Sequence, residues 1–307
     1  SPHPLVISAH LDTVFPIETP LGVQILKDRI TGPGIGDNSL GLAAAAGIVR
    51  LLKEQNYPLP GDLWLVMNVG EEGLGDLKGI EAAVNRFKGD PLAYLVVEGM
   101  GLSTVLNRGL GVERYKITVQ TAGGHSWVDY GSPSAIHELS RLIVQLADLP
   151  LPEAPTTTLN VGIIHGGTSV NTIASQAWLE LDLRSEDRAA LARLVKQVMQ
   201  VTDRIRRSGV EVKVERIGKR QAGSLPAAHP LVRLAQDILT ELGLEPRLDI
   251  ASTDANLPLS RGYPAICLGV TNGSSAHTLE EYILTAPIAF GMAQLYLLAT
   301  RVWEKLA

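Results

Sequence analysis

Leu5-Val6-Ile7-Ser8-Ala9-His10-Leu11-Asp12 decides the fold, because a short continuous apolar run there delivers a histidine and an aspartate at its end. An unbroken apolar run bounded by polar residues reads as a strand covered on both faces, which is the pattern of a parallel sheet. Three further runs share the design. Leu63 to Gly70 leads into Glu71 and Glu72, Leu92 to Val97 into Glu98, and Ala265 to Val270 through a Gly/Ser loop to His277. In open α/β sheets ligands bind outside the carboxyl ends of the strands, so these residues are predicted to meet at one crevice although they lie far apart in the chain. The repetition points to a metalloenzyme.

From residue 1 to about 109 the chain alternates strand and helix. Gly32-Pro33-Gly34-Ile35-Gly36-Asp37-Asn38 is a glycine-rich loop, and Ser39 to Gln55 reads as a long Ala/Leu/Ile helix with Asn38 or Ser39 as its N-cap. Near Arg108 the pattern changes. Val112 to Thr121 alternates as a half-buried strand, Ser134 to Ala147 is an amphipathic helix, and Thr156 to Ile164 and Ile173 to Leu183 are further alternating strands. A second helix, Glu186 to Ser208, and a short strand, Val210 to Val214, complete a βαββαβ order. The fold class predicted is α/β: a mixed, mainly parallel sheet with helices on both faces, formed by 1–109 and 218–307, plus a two-layer βαββαβ module inserted at 110–217. The first pattern resumes with the helix Pro230 to Leu242, the strand Ala265 to Val270 and a closing helix Pro287 to Lys305.

Composition narrows the function classes. The 307 residues, 45% apolar and 19% charged, suit a globular chain of one large or two ordinary domains. No stretch approaches the roughly 18 uncharged apolar residues of a membrane helix, so no membrane partner is expected. A net charge of −5 without a basic block gives no reason to expect nucleic acid. The single cysteine, Cys267, lies in an apolar run as a core residue, which fits a reducing cytoplasm. A core strand begins within four residues of Ser1, and the expectation is that the natural N-terminus lies further upstream.

Each candidate also has an ordinary reading. His10-Leu11-Asp12 on extended backbone puts both side chains on one face, where they can be a ligand with its orienting partner or a plain hydrogen-bonded pair. Asp37 can be a ligand or a helix-capping or turn residue, Glu98 could be a solvated strand end, and His277 could be a plain loop histidine. Glu71-Glu72 is more telling, since two adjacent carboxylates leaving one strand end repel each other and call for a cation or water. Taken together, two imidazoles and three carboxylates suit zinc, with cobalt or manganese as alternatives, and one shared carboxylate would hold two ions roughly 3.5 Å apart. One glutamate is left over, in the position a hydrolase needs for proton transfer.

Ala9-His10-Leu11-Asp12-Thr13-Val14, Gly36-Asp37-Asn38, Gly70-Glu71-Glu72-Gly73, Gly124-His125-Ser126 and Ala276-His277-Thr278 occur in the order found in the M20-type dinuclear zinc peptidases and amidohydrolases, and over essentially its whole length the chain resembles that family. The family includes glutamate carboxypeptidase, acetylornithine deacetylase, succinyl-diaminopimelate desuccinylase and peptidase T. The resemblance implies two Zn2+ ions, one held by His10, Asp37 and Glu98 and the other by Asp37, Glu72 and His277. It implies that Glu71 is general base and acid, and that Asp12 orients His10. It further implies that the inserted module is a lid and dimerisation domain, whose His125 reaches the partner subunit's site, and that Asn171 and Arg184 bind the substrate. Ser252 and Thr253 resemble pocket-lining residues, although a local turn would explain them equally. Glu98 in place of an aspartate leans toward the carboxypeptidase and deacylase branches.

The function this implies is zinc-dependent hydrolysis of peptide or N-acyl amino acid amide bonds by a metal-activated water. The alternatives are a deacetylase or desuccinylase of amino-acid biosynthesis, a metal-binding relative without catalysis, and a two-metal phosphoesterase, for which the basic lining is thin. A homodimer is expected through the module, with the Val112 to Thr121 strand and the Ser134 to Ala147 helix as pairing surfaces.

Overall fold

In a computed structural model that describes residues 3–306, the chain divides into two compact units, 3–109 with 223–306, and Leu110–Ala222. Each has its own apolar core.

The first unit is built on a seven-stranded sheet. Its order is Gly223–Ser224, Thr104–Gly109, Ala265–Thr271, Ala93–Met100, Leu5–His10, Leu63–Asn68, with Arg247–Ala251 also paired to Thr104–Gly109. Leu5–His10 runs parallel to both neighbours, and Ala265–Thr271 runs parallel to Ala93–Met100. Antiparallel pairs at Thr104–Gly109 make the sheet mixed. Apolar continuity in the central strands corresponds to burial on both faces: every residue of Leu5–His10 and of Ala265–Thr271 is buried. Removing side chains such as Leu5, Val6 and Ile7 from water stabilises the unit by about 1.5–3 kcal/mol each. Leu63–Asn68 departs from the expectation. It is the edge strand, so it is only partly covered and Trp64 is 39% exposed.

Helices flank the sheet. Leu40–Glu54 packs on Ala93–Met100 and Leu5–His10, Ile288–Leu306 packs on Ala265–Thr271 and on Pro230–Glu241, and Lys78–Phe87 lies by Leu63–Asn68. The segment Ile35–Glu54 has the length and apolar composition of a membrane span, yet Ala44, Ala45, Ile48 and Leu52 belong to this core. Neither expected cap closes the Leu40–Glu54 helix with a side-chain bond. A single wide turn over Ile35–Ser39 leads into it, and Asn38 is buried with its amide donating to the Val97 carbonyl at 2.8 Å. Asn38 therefore ties the loop to the sheet. A small second sheet joins Gln24–Ile25, Arg29–Thr31, Tyr282–Leu284 and Gly273–Ser274.

The inserted unit has a four-stranded antiparallel sheet in the order Glu211–Arg220, Gly111–Gln120, Gln176–Ser185, Thr157–Gly166. The helices Ala135–Ala147 and Arg188–Arg204 pack on it. Asp187 caps the second helix by accepting from the Ala190 N–H at 2.7 Å. The last strand continues to Arg220 instead of ending at Val214, because the alternation persists through a register shift between Arg216 and Gly218. One expectation is corrected here. The Val112 to Thr121 strand has neighbours on both sides, so it has no edge to offer a second chain; the outer strands are Thr157–Gly166 and Glu211–Arg220.

Candidate metal centre

Parallel pairing places the first candidate ligands. Leu5–His10 and Ala93–Met100 are in register from Leu5 opposite Ala93 to Ser8 opposite Val96, and two more residues bring His10 level with Glu98. His10 Nε2 lies 3.1 Å from Asp37 Oδ1 and 3.5 Å from Glu98 Oε2. His277 Nε2 lies 3.0 Å from Asp37 Oδ2 and 3.4 Å from Glu72 Oε1. Two three-residue groups result, His10-Asp37-Glu98 and Asp37-Glu72-His277, and within each the donor atoms lie no more than 4.8 Å apart. Asp37 belongs to both, one oxygen turned to each imidazole. His277 holds its place with φ +67°, a left-handed conformation uncommon for a residue with a side chain.

The electrostatics are those of crowded acids around buried imidazole. Burial opposes charge on His10, yet hydrogen bonds to Asp37 and Glu98, helped by the charges of Glu98 and Glu71, push its pKa up to about 12. Burial pushes Glu98 up to about 7 against the opposing pull of His10. At Asp37 burial acts upward, but the two histidines outweigh it and hold the carboxyl below its usual range. Burial and then the charge of Asp37 raise Glu72. So much converging negative charge is what a multivalent cation neutralises better than protons do. Glu72 Oε1, buried and 3.4 Å from His277 Nε2, accepts no hydrogen bond and faces into the cluster. Imidazole nitrogen with carboxylate oxygen, one carboxylate shared, is a donor set that fits a pair of zinc-like ions.

Asp12 has two distinct contacts. His10 Nδ1 bonds to its backbone carbonyl at 2.9 Å, while its carboxylate stands 3.6 Å from that nitrogen. The carboxylate instead accepts from the Glu71 N–H at 3.3 Å and the Glu72 N–H at 2.9 Å. Asp12 therefore anchors the turn carrying both glutamates. The Glu71 side chain is buried, and its charge is felt at His10.

Beside this cluster the segment at 252–256 is a local turn. Thr253 Oγ1 accepts from the Ala255 N–H at 3.2 Å, and Thr253 also lies against the buried Cys267 thiol; Ser252 is half-buried in the same turn. Sequence reasoning missed its neighbour Asp254. That carboxylate is fully buried, accepts from Asn68 Nδ2 at 2.7 Å, and acts on Glu98 through its charge. It missed Glu281 as well. Glu281 is fully buried and accepts from the backbone N–H groups of Gly34, Gly36 and Asp37 at 3.1, 2.6 and 2.8 Å.

Within the inserted unit His125 and Asn171 are neighbours. His125 pairs with Thr172, the Ser126 N–H donates to the Asn171 carbonyl at 3.0 Å, and both side chains are exposed. Arg184 is not with them. It pairs opposite Val112, at the far end of the strand from Gln176, which is eight residues and roughly 26 Å of extended chain away. Its guanidinium donates to Asp182 at 2.6 Å, and Asp182 also accepts from Arg114 at 2.8 Å.

Residues 6–301 match peptidase family M20/M25/M40. A peptidase M20 domain-containing protein of Schizosaccharomyces pombe is 31% identical over 186 residues, 59% of this chain and 44% of that protein, so the chain spans under half of that relative's length. A succinyl-diaminopimelate desuccinylase of Corynebacterium glutamicum is 25% identical over 90% of this chain and 75% of its own length. Among solved structures, a tripeptidase from Staphylococcus aureus superposes with a TM-score of 0.80 at 24% identity, covering 99% of this chain and 81% of that one. A dinuclear metal-binding M20 peptidase from Bacillus subtilis gives 0.70 at 15% identity, covering 99% and 82%. These likenesses show a shared fold. Matched across nearly its full length, the chain belongs to peptidase family M20/M25/M40.

Proposed function

We propose that the chain hydrolyses peptide or N-acyl amino acid amide bonds at a centre of two divalent ions, with zinc as the metal that fits its donors best. The observation carrying this reading is Asp37, whose two oxygens face His10 and His277 so that two three-residue ligand groups share one carboxylate. Ions held there would polarise the scissile carbonyl and make a nearby water more acidic. Glu71 is the glutamate left outside both groups. Buried, and fixed through its backbone by Asp12, it takes a proton from the attacking water and returns it to the leaving nitrogen. Asn68, level with His10, holds Asp254, whose charge acts on Glu98.

His125 and Asn171 are proposed as substrate-facing groups, supported by their exposure and adjacency. Arg184 is engaged with Asp182 and is left out of that proposal. A homodimer through the inserted unit is proposed on the outer edge of Thr157–Gly166. That strand carries no charged residue and exposes Ile163 and Ile164, whereas Glu211–Arg220 is lined with charges that discourage pairing, including the Lys213–Glu215 ion pair at 2.9 Å. A lone buried cysteine supports a cytoplasmic setting.

The desuccinylase and tripeptidase similarities leave deacylation as the second reading of the same chemistry. Release of free amino acid from a panel of dipeptides, tripeptides, N-acetyl and N-succinyl amino acids by the zinc-loaded protein tests both. Turnover confined to N-acyl substrates would select the second reading, and no turnover on any member would overturn the proposal.

A further inference from the structure

Glu280 and Glu281 look alike in the sequence, but the structure separates them: Glu280 is exposed and Glu281 has no exposed surface. A buried carboxylate is costly unless its oxygens are satisfied. Those of Glu281 are satisfied by the loop that carries Asp37, with Oε1 accepting from the Gly36 and Asp37 N–H groups and Oε2 from that of Gly34. The loop is shaped for this. Gly34 is left-handed at φ +70°, and a Cβ on Gly36 would meet Met100 Sδ at 2.8 Å. Backbone pairing closes the arrangement from the other side. The Gly32 N–H donates to the Glu281 carbonyl at 2.9 Å, and Tyr282–Leu284 pairs antiparallel with Arg29–Thr31. Glu281 stands four residues after His277, so one short segment supplies both a ligand and the clamp on the carboxylate that faces it.

We propose that Glu281 is a positioning residue for the metal pair, holding the 34–37 loop so that the Asp37 carboxylate stays divided between the His10 and His277 sides. This rests on the proposed two-ion reading. Backbone N–H bonds to a full negative charge are among the stronger hydrogen bonds, and three of them fix the loop on which Asp37 stands. A carboxylate that must serve two ions tolerates less rotation than one serving a single ion, so loss of the clamp weakens metal binding before it weakens the fold. Residues that orient ligands typically change metal affinity by about 10- to 100-fold.

The test measures zinc affinity by chelator competition, with cobalt absorption as a signature of ligand geometry, in the wild-type chain, Glu281→Gln and Glu280→Gln. An amide in place of Glu281 turns an NH2 group toward a backbone N–H. The expected result is zinc affinity about 10- to 100-fold weaker and an altered cobalt spectrum in Glu281→Gln, with the metal-free melting temperature lowered only modestly and Glu280→Gln like wild type. A lowered melting temperature with wild-type affinity and spectrum would make Glu281 merely structural and overturn the proposal. Should Glu281→Gln not fold, Glu281→Asp, still charged but one methylene shorter, carries the same readouts; failure of both to fold with or without zinc also overturns it. If the wild-type chain itself bound no metal pair, the two-ion reading would fall. Glu281→Gln binding two ions as tightly as wild type would remove only the role of Glu281.

Discussion

His10 and Asp12 meet through the backbone: His10 Nδ1 bonds to the Asp12 carbonyl at 2.9 Å, leaving the Asp12 carboxylate to receive the N–H groups of Glu71 and Glu72. Asp12→Ala should therefore leave His10 oriented and disturb the glutamate turn. Turnover is expected to fall about 10- to 100-fold, with the ion on the His10 side retained. Metal content measured beside kcat checks this, and loss of the His10-side ion would instead assign the carboxylate to that histidine.

Asp37 belongs to both candidate ligand groups. Asp37→Ala should thus release both ions under dialysis conditions in which Glu98→Ala or His277→Ala releases chiefly one. Elemental analysis after equilibrium dialysis at fixed zinc reads the difference. One tightly held ion in Asp37→Ala would show that the two groups are independent.

Glu138 gives the inserted unit a measurable acid sensitivity. Its buried carboxylate is bonded to Arg207 at 2.7 Å and also paired with Arg141, and the Arg207 bond, against burial, holds its pKa below the usual range. A carboxyl whose pKa is depressed by folding adds stability above its unfolded pKa and loses it as pH falls through the folded one. Glu138→Gln should cost about 2 kcal/mol near neutral pH, a modest figure because both guanidinium partners are substantially exposed. Below the carboxylate range the variant and wild type should converge. Urea melts of the whole chain at several pH values test this, and a constant gap across the range would contradict it.

The Thr157–Gly166 edge is expected to carry the dimer. Ile164→Lys, which places a charge on the exposed edge, should convert a wild-type dimer to monomer in sedimentation equilibrium without changing the circular dichroism. A wild-type monomer at micromolar concentration, or an Ile164→Lys dimer of unchanged affinity, would remove this assignment.

The sheet and the convergence of its candidate ligands were legible because continuous apolar runs ending in His10, Glu98 and the 71–72 pair carry topology and chemistry in the same few residues. Strand neighbours were not. Alternation along Val112 to Thr121 tells which face is buried but not whether the strand lies inside or at an edge, and the structure puts it inside. Arg247–Ala251 and Thr104–Gly109 escaped notice because each is short and interrupted by polar residues. Glu281 escaped because a Glu-Glu pair in a turn looks solvated, and only tertiary packing buries one member. Arg184 stands at the opposite end of its strand from Gln176, and sequence distance alone does not say at which end of a strand a residue will stand.

Glu71→Gln tests the central claim most directly, through zinc content and turnover measured on the same preparation. If Glu71 moves protons while the ligand groups around Asp37 hold the ions, the variant keeps two zinc ions per chain and loses about 10²- to 10⁴-fold in kcat. Loss of an ion together with activity would make Glu71 a ligand, and turnover close to wild type would remove it from the chemistry.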